Sequence, residues 1–143
     1  AIAEYQLFMD KYPYSNLKDS ANHQIDRLNF KLERKAFENA SQFAKTLKYK
    51  AAVSALKDFQ REYPASQFRE EAMYLTVKCQ YLLAEGSIEE KKLERMRAVG
   101  ENYRTFAAAF PESKYLADAE SYFRRSERQV EKLSSISIAQ PEK

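Results

Sequence analysis

Apolar residues recur along this chain at intervals of three or four positions, which is the period of an amphipathic α-helix. The longest such stripe follows Pro13, and residues 14–63 contain neither glycine nor proline. Its members are Leu17, Ala21, Ile25, Leu28, Leu32, Ala36, Ala40, Phe43 and Leu47. The pattern predicts one helix of about 30 residues, unless it breaks near Asn29, followed by a turn near residues 46–49.

Four further segments carry the same period and predict four more helices. Their apolar positions are Val53, Leu56, Phe59 and Tyr63; Ala72, Leu75, Cys79 and Leu82; Met96, Val99, Tyr103, Phe106 and Phe110; and Leu116, Ala119, Phe123, Val130 and Leu133. Gly86 should end the second of these helices, and Ser87 with Glu90 should form an S-x-x-E capping box at the start of the third. The period is lost after residue 133, so we predict a repeat domain over 1–133 and a flexible tail over 134–143.

Six positions recur in three copies, separated by 51 and then by 47 residues. The copies are Phe8, Tyr12, Pro13, Ser15, Leu17 and Ala21; Phe59, Tyr63, Pro64, Ser66, Phe68 and Ala72; and Phe106, Phe110, Pro111, Ser113, Tyr115 and Ala119. Proline cannot continue a helix and moves the preceding residue out of the α region, while a serine two positions later can cap a new helix. Each copy is therefore predicted to end one helix and to begin another at its serine.

Composition narrows the fold class. The chain has 2 glycines and 4 prolines, whereas average usage would give about 17 such residues in this length. A turn-rich β-sandwich is thereby excluded, and an all-α fold is predicted. The repeat of 47 to 51 residues is longer than the roughly 34 of a tetratricopeptide repeat. We expect elongated tetratricopeptide-like helical hairpins stacked in a right-handed superhelix, with helix over at least about three-quarters of residues 1–133 and no strand.

Charge and hydropathy argue against two kinds of partner. Lys and Arg number 24 against 21 Asp and Glu, for a net charge of +3 and a pI near 8.9, and the two signs are interspersed. A nucleic-acid-binding protein would show a basic stripe or arm. This chain shows neither, so we do not expect it to bind nucleic acid. Mean hydropathy is -0.71, and no stretch approaches the roughly 18 consecutive apolar residues of a membrane span. Because the chain starts without Met, inside a helical pattern, we expect it to be a fragment of a longer chain.

The residue types that usually carry catalysis do not fall in catalytic patterns. One cysteine allows no internal disulfide, and one histidine allows no multi-histidine metal site. Cys79 lies on an apolar stripe and should be buried, while His23 lies off the stripe and should be solvated. The acidic pairs at 70–71 and 89–90 fall in first helical turns, where the helix dipole favours them. The basic residues of 91–97 alternate with acids, as on a solvated face. We expect no enzyme, no metal and no cofactor.

Three stretches of the sequence carry a family resemblance. They are the Phe-x-x-x-Tyr-Pro-x-Ser ending of a repeat, Lys31-Leu32-Glu33, and Tyr49-Lys50-Ala51-Ala52-Val53. Over residues 1–133 the chain resembles the carboxyl-terminal half of the BamD family of lipoproteins, in a form similar to members from Bacteroidota. The resemblance implies a non-catalytic scaffold of the outer-membrane β-barrel assembly machine, on the periplasmic face of the outer membrane. It also implies a lipidated amino-terminal cysteine outside this fragment, and binding to the barrel insertase's periplasmic domains and to other lipoproteins of the machine.

The Tyr-Pro-x-Ser signature is also found in other periplasmic repeat proteins, including the cell-division coordinator related to the Tol-Pal system. A generic periplasmic peptide-binding repeat adaptor of that type is therefore the alternative function. An enzyme embedded in a helical repeat is a third. A signal peptide ending in a lipobox cysteine, upstream of this sequence, would favour the assembly lipoprotein.

A basic cluster lies at the turn after the long helix. It consists of Lys45, Lys48, Tyr49 and Lys50. In the resembling family the matching turn helps to dock the insertase, so the resemblance implies that these four residues bind the partner. Lysines also suit the negative end of a helix dipole, so a purely structural role stays open. Relatives often carry Gly or Arg in this turn, whereas Thr46 and Leu47 stand here.

Overall fold

The computed structural model describes residues 1–11 and 18–139, with side chains as far as residue 136. Six helices cover 85% of the described residues, and no strand occurs among them. In chain order they are α1 (Ile2–Lys11), α2 (Lys18–Lys45), α3 (Tyr49–Glu62), α4 (Arg69–Glu85), α5 (Glu89–Ala109) and α6 (Leu116–Ala139). The predicted all-α, tetratricopeptide-like repeat fold is confirmed. The long helix α2 is continuous through Asn29, and the turn after it falls where it was predicted.

The chain divides into two compact units, Ala1–Ala36 and Phe37–Lys143. The first unit holds α1 and the first part of α2, where Ala21 and Ile25 are buried and Phe8 is half-buried. Four positions of the first repeat copy lie outside the described residues. They are Tyr12, Pro13, Ser15 and Leu17.

Helix α4 is the centre of the second unit, because it packs against α3, α5 and α6, while α5 also packs against α6. The main core of this unit comes mostly from α4 and α5. Its buried members are Met73, Tyr74, Val77, Tyr81, Ala84, Met96, Val99, Phe106 and Ala119. The contact of α4 with α6 places the first helix of one hairpin beside the first helix of the next. This is the neighbour relation of stacked helical repeats.

The proline turns of the second and third repeat copies have the same hydrogen bonds. After α3, the amide of Tyr63 donates to the carbonyl of Phe59 at 2.9 Å, and the amide of Phe68 donates to Ser66 Oγ at 3.1 Å. The third copy has equivalent bonds, of 2.9 Å and 3.1 Å, at Phe106, Phe110, Ser113 and Tyr115. The serine therefore fixes the turn rather than the helix start, and α4 begins three residues later than predicted, at Arg69.

The capping box predicted at the start of α5 is wrong. Ser87 Oγ donates to the carbonyl of Leu83 at 2.6 Å and accepts from the Arg95 guanidinium at 2.6 Å. The N-cap residue is Ile88, and no side chain caps this helix. A hydrogen bond from a charged guanidinium is stronger than one from a neutral amide, which explains why the hydroxyl is held by Arg95 instead.

Helices α2 and α6 each depart from what their sequence pattern suggests. The apolar stripe of α2 does not remain buried to its end, since Leu32 and Phe43 are exposed, whereas Phe37 is buried. Phe37 lies 5.1 Å from Phe68 and 5.6 Å from Phe59, between ring centroids, so tertiary contacts choose the buried face of α2 in the second unit. Helix α6 extends to Ala139, so residues 134–139 are helical although the sequence loses its period there. Flexibility of the end of the chain stays a prediction.

The predictions for single reactive residues agree with the structure. Cys79 is 1% exposed, and burial raises the pKa of its thiol to about 11, so its thiolate is disfavoured at neutral pH. His23 is exposed.

Tyr74 connects α4 to α6 through a hydrogen bond that its hydroxyl donates to Asp118. Burial, together with that carboxylate, raises the pKa of the phenol.

Candidate docking surface

The turn between α2 and α3 ends α2 with a Schellman arrangement of hydrogen bonds. The amide of Lys48 donates to the carbonyl of Phe43 at 2.9 Å, and the amide of Leu47 donates to the carbonyl of Ala44 at 3.2 Å. This helix ending requires a left-handed residue at the position of Leu47. Leu47 has φ of 62° and is the one non-glycine residue with positive φ in the part of the chain that the structure describes.

Leucine is an unusual choice for that position. The left-handed conformation costs an ordinary side chain about 1–2 kcal/mol, which is why glycine commonly stands there. The Leu47 side chain gains little burial in return, because the residue is 70% exposed. Backbone strain that brings no stability is often found where a side chain has a functional role.

A groove opens beside this turn, lined by the start of α3, the end of α4 and one residue of α5. We call it the basic groove, and its volume is about 700 Å³. It is lined by Leu47, Lys48, Tyr49, Lys50, Ala51, Ser54, Leu82, Leu83, Gly86 and Arg95. Three of these residues are cations, and no Asp or Glu is among the described residues that line the groove. Apolar side chains make up most of the remaining wall.

Arg95 is held in place by two hydrogen bonds that the sequence did not indicate. Its guanidinium donates to Ser87 Oγ, and its backbone carbonyl accepts from Gln80 Nε2 at 3.1 Å. Side-chain entropy opposes the ordering of a long cation at a binding surface. Because Ser87 already orders Arg95, less of that entropy remains to be lost when an anionic group binds.

The structure divides the four residues predicted to bind a partner. Lys48, Tyr49 and Lys50 line the basic groove together, whereas Lys45 lies on the other side of the turn, in a cleft between α2 and α4 to which Tyr49 also contributes. Sequence reasoning missed Arg95, because only the folding of α4 against α5 brings it near. From sequence, Leu47 was known only to lie in a turn where relatives often carry Gly or Arg. The structure adds that Leu47 has a left-handed backbone and is exposed.

The described residues hold no group of three His, Cys, Asp or Glu side chains that could bind a metal ion. No helix among them is both long and apolar enough to cross a membrane. The features that the structure does show are stacked helical hairpins and a cationic groove with an apolar wall. They are typical of repeat proteins that bind other proteins.

The family follows from comparison with known sequences. A family model described as YfiO, outer membrane lipoprotein, matches residues 45–128. The match covers more than half of the chain, so the chain belongs to this BamD-like family, and the association with the outer membrane comes from that membership. The predicted family is confirmed, while an origin in Bacteroidota stays a prediction. A search of curated proteins found no match. The matched region begins at Lys45 and includes every residue that lines the basic groove.

Proposed function

We propose that this chain is a non-catalytic scaffold of the outer-membrane β-barrel assembly machine. In this proposal it works on the periplasmic face of the outer membrane, and it docks the periplasmic domains of the barrel insertase through the basic groove. The family supports the general role. The observation that carries the docking site is Leu47, an exposed apolar side chain held in a strained backbone at the edge of a cationic groove.

The groove has the composition of a small protein-binding surface. Tyr49, Leu82 and Leu83 offer apolar area that a partner side chain can cover, and Leu47 extends from the edge toward the partner. Lys48, Lys50 and Arg95 surround this area and favour carboxylates at the rim of the contact. Apolar centres supply most of the affinity of such surfaces, and complementary charge supplies orientation and association rate.

The first test reverses charge within the groove. Lys48→Glu/Lys50→Glu should weaken binding to the isolated periplasmic domains of the insertase roughly tenfold at low salt, mainly by slowing association. The loss should shrink at moderate salt, because exposed charges are screened. The measurement is association and dissociation rates at two salt concentrations, with thermal melting in parallel.

Lys57→Glu is the matched control for charge reversal, because Lys57 is an exposed residue of α3 outside the groove. It should change the rates little. Unchanged affinity of a folded Lys48→Glu/Lys50→Glu protein would show that the basic groove does not dock the insertase, and the lysines would then be explained by the helix terminus alone. Lys45→Glu, tested separately, would show whether that lysine belongs to the same surface.

The second test separates docking from stability at Leu47. Leu47→Gly relieves left-handed strain of about 1–2 kcal/mol and adds an entropic cost of about 0.5–1 kcal/mol. The free energy of unfolding should therefore rise by about 0.5–1 kcal/mol, while affinity for the insertase domains falls several-fold through the loss of the side chain. Urea denaturation and binding would be measured on the same samples.

Leu47→Ala is the control that keeps the strain. It should lose affinity as Leu47→Gly does, but without the gain in stability. A Leu47→Gly protein that is more stable and binds equally well would remove Leu47 from the docking surface.

A further inference from the structure

A second cavity lies within the second unit, on the other side of the turn, between residues 37–47 and α4. We call it the Ser41 cleft, and its volume is about 460 Å³. Its apolar lining includes Phe37, Ala44, Leu75 and Leu82. Leu75 and Leu82 belong to the apolar stripe of α4, as the buried Cys79 does, yet both are partly exposed here.

Ser41 lines this cleft and is 8% exposed, yet its Oγ has no hydrogen-bond partner among the described residues. Several hydroxyls within helices donate to a carbonyl three or four residues earlier. They are Thr76, Thr105, Ser126 and Ser135. Ser41 departs from that behaviour, and a buried hydroxyl without a partner is destabilising. A polar group arriving in the cleft would give this hydroxyl its missing hydrogen bond.

Each wall of the cleft carries one acidic residue and, further along the same helix, one lysine. Glu38 and Lys45 lie seven residues apart on α2, and Glu71 and Lys78 lie seven residues apart on α4. At the rise of a helix, seven residues correspond to about 10 Å. Phe37 contacts Phe68 just before the start of α4, and Leu47, just after α2, lines the same cavity walls as Leu82 near the end of α4. The two helices therefore run in the same direction, and the acids share one end of the cleft. The lysines share the other end, beside Leu82.

A chain in the extended polyproline II conformation has three residues per turn and advances about 3.1 Å per residue. Residues three positions apart therefore lie on the same side of such a chain, at roughly the distance that separates the acidic end of the cleft from the basic end. We propose that the Ser41 cleft binds an extended peptide segment in which a basic and an acidic residue, three positions apart, flank an apolar pair. The basic residue faces Glu38 and Glu71, and the acidic residue faces Lys45 and Lys78. The apolar pair covers Leu75 and Leu82, and Ser41 bonds to the peptide main chain. This inference goes beyond insertase docking, and its test contains no insertase.

The probes are short fluorescent peptides, and binding is measured by polarisation with the full chain. Gly-Lys-Leu-Phe-Glu-Gly and its reverse, Gly-Glu-Phe-Leu-Lys-Gly, cover the two chain directions. At least one of them should bind saturably, and more tightly, by about fivefold or more, than the like-charge control Gly-Lys-Leu-Phe-Lys-Gly. Absence of saturable binding by both opposite-charge peptides would overturn the proposal, as would equal binding of the control.

Variants test the cleft residue by residue. Ser41→Ala should lower affinity for the preferred peptide about threefold to tenfold, as expected for one lost hydrogen bond. Its melting temperature should stay equal or rise, because the variant removes a hydroxyl that has no partner in the free protein. Ser54→Ala, an exposed serine of α3, is the matched control and should change neither quantity. An unchanged peptide affinity in Ser41→Ala would overturn the assigned hydrogen bond.

The charge arrangement has its own test. Glu71→Lys/Lys78→Glu reverses one wall of the cleft and should abolish the preference for the opposite-charge peptide, with melting measured to confirm folding. Lys48→Glu/Lys50→Glu, which alters only the basic groove, should leave peptide affinity unchanged. The two surfaces share Leu47, Tyr49 and Leu82 but none of their charged residues, so these charge variants distinguish them, and either one can fail alone. A preference retained in a folded Glu71→Lys/Lys78→Glu protein would contradict the proposed orientation.

Discussion

Phe59→Ala should lower the free energy of unfolding by about 3–5 kcal/mol, the usual cost of emptying a buried aromatic site. Phe59 is 3% exposed, and its ring lies 5.6 Å from that of Phe37 and 5.4 Å from that of Tyr63. The ring therefore joins α2 to α3 at the start of the proline turn. Urea denaturation followed by circular dichroism would measure the loss.

Phe8→Ala is the comparison for Phe59→Ala, because Phe8 holds the same position in the first repeat copy but is only half-buried. It should cost clearly less. Equal losses in the two variants would contradict the view that the second copy is the interior one, and would mean that burial at this repeat position does not follow the stacking of hairpins.

Phe106→Ala should lower the free energy of unfolding by a similar amount, about 3–5 kcal/mol. Phe106 has no exposed surface and lies in the core that α4 and α5 share with Ala119 of α6. Since Phe59 and Phe106 belong to the same compact unit, we expect that unit of the Phe59→Ala/Phe106→Ala protein to unfold in a single transition at lower urea.

The control for Phe106→Ala is its ring neighbour. Phe110 lies 6.2 Å from Phe106, between centroids, but is only half-buried. Phe110→Ala should therefore cost less than Phe106→Ala. Two separate transitions in the Phe59→Ala/Phe106→Ala protein, one for each hairpin, would show that α4 does not join the hairpins into one cooperative structure.

The structure was most predictable from the sequence where it depends on local rules. The six-position repeat located the turns of the second and third copies correctly, because a proline that cannot continue a helix acts on its immediate neighbours. The structure was least predictable where a residue outside a local pattern competes for one of its members. Ser87 and Glu90 satisfy a capping pattern, but Arg95 reaches Ser87 from the next turns of α5. The buried face of α2 likewise depends on Phe59 and Phe68, which no periodicity within α2 can reveal.

The candidate sites follow the same division. Lys48, Tyr49 and Lys50 could be found from sequence, because they lie together in the chain at a predicted turn. The strain at Leu47 comes from one backbone angle, which cannot be predicted from the presence of a leucine in the sequence. Ser41 is recognisable as unusual only when its surroundings are known, since a serine in a helix ordinarily either faces solvent or bonds to its own backbone.

The matching proline turns after α3 and α5 make the second unit extensible. Residues 64–110 form a module of 47 residues that begins and ends at the same turn, where a backbone amide donates to the serine hydroxyl after each proline. A duplicate of this module placed after Phe110 would begin and end at the same proline turn. A longer stack could therefore be built in steps of one module, by gene duplication or by engineering, without a new kind of turn between helices.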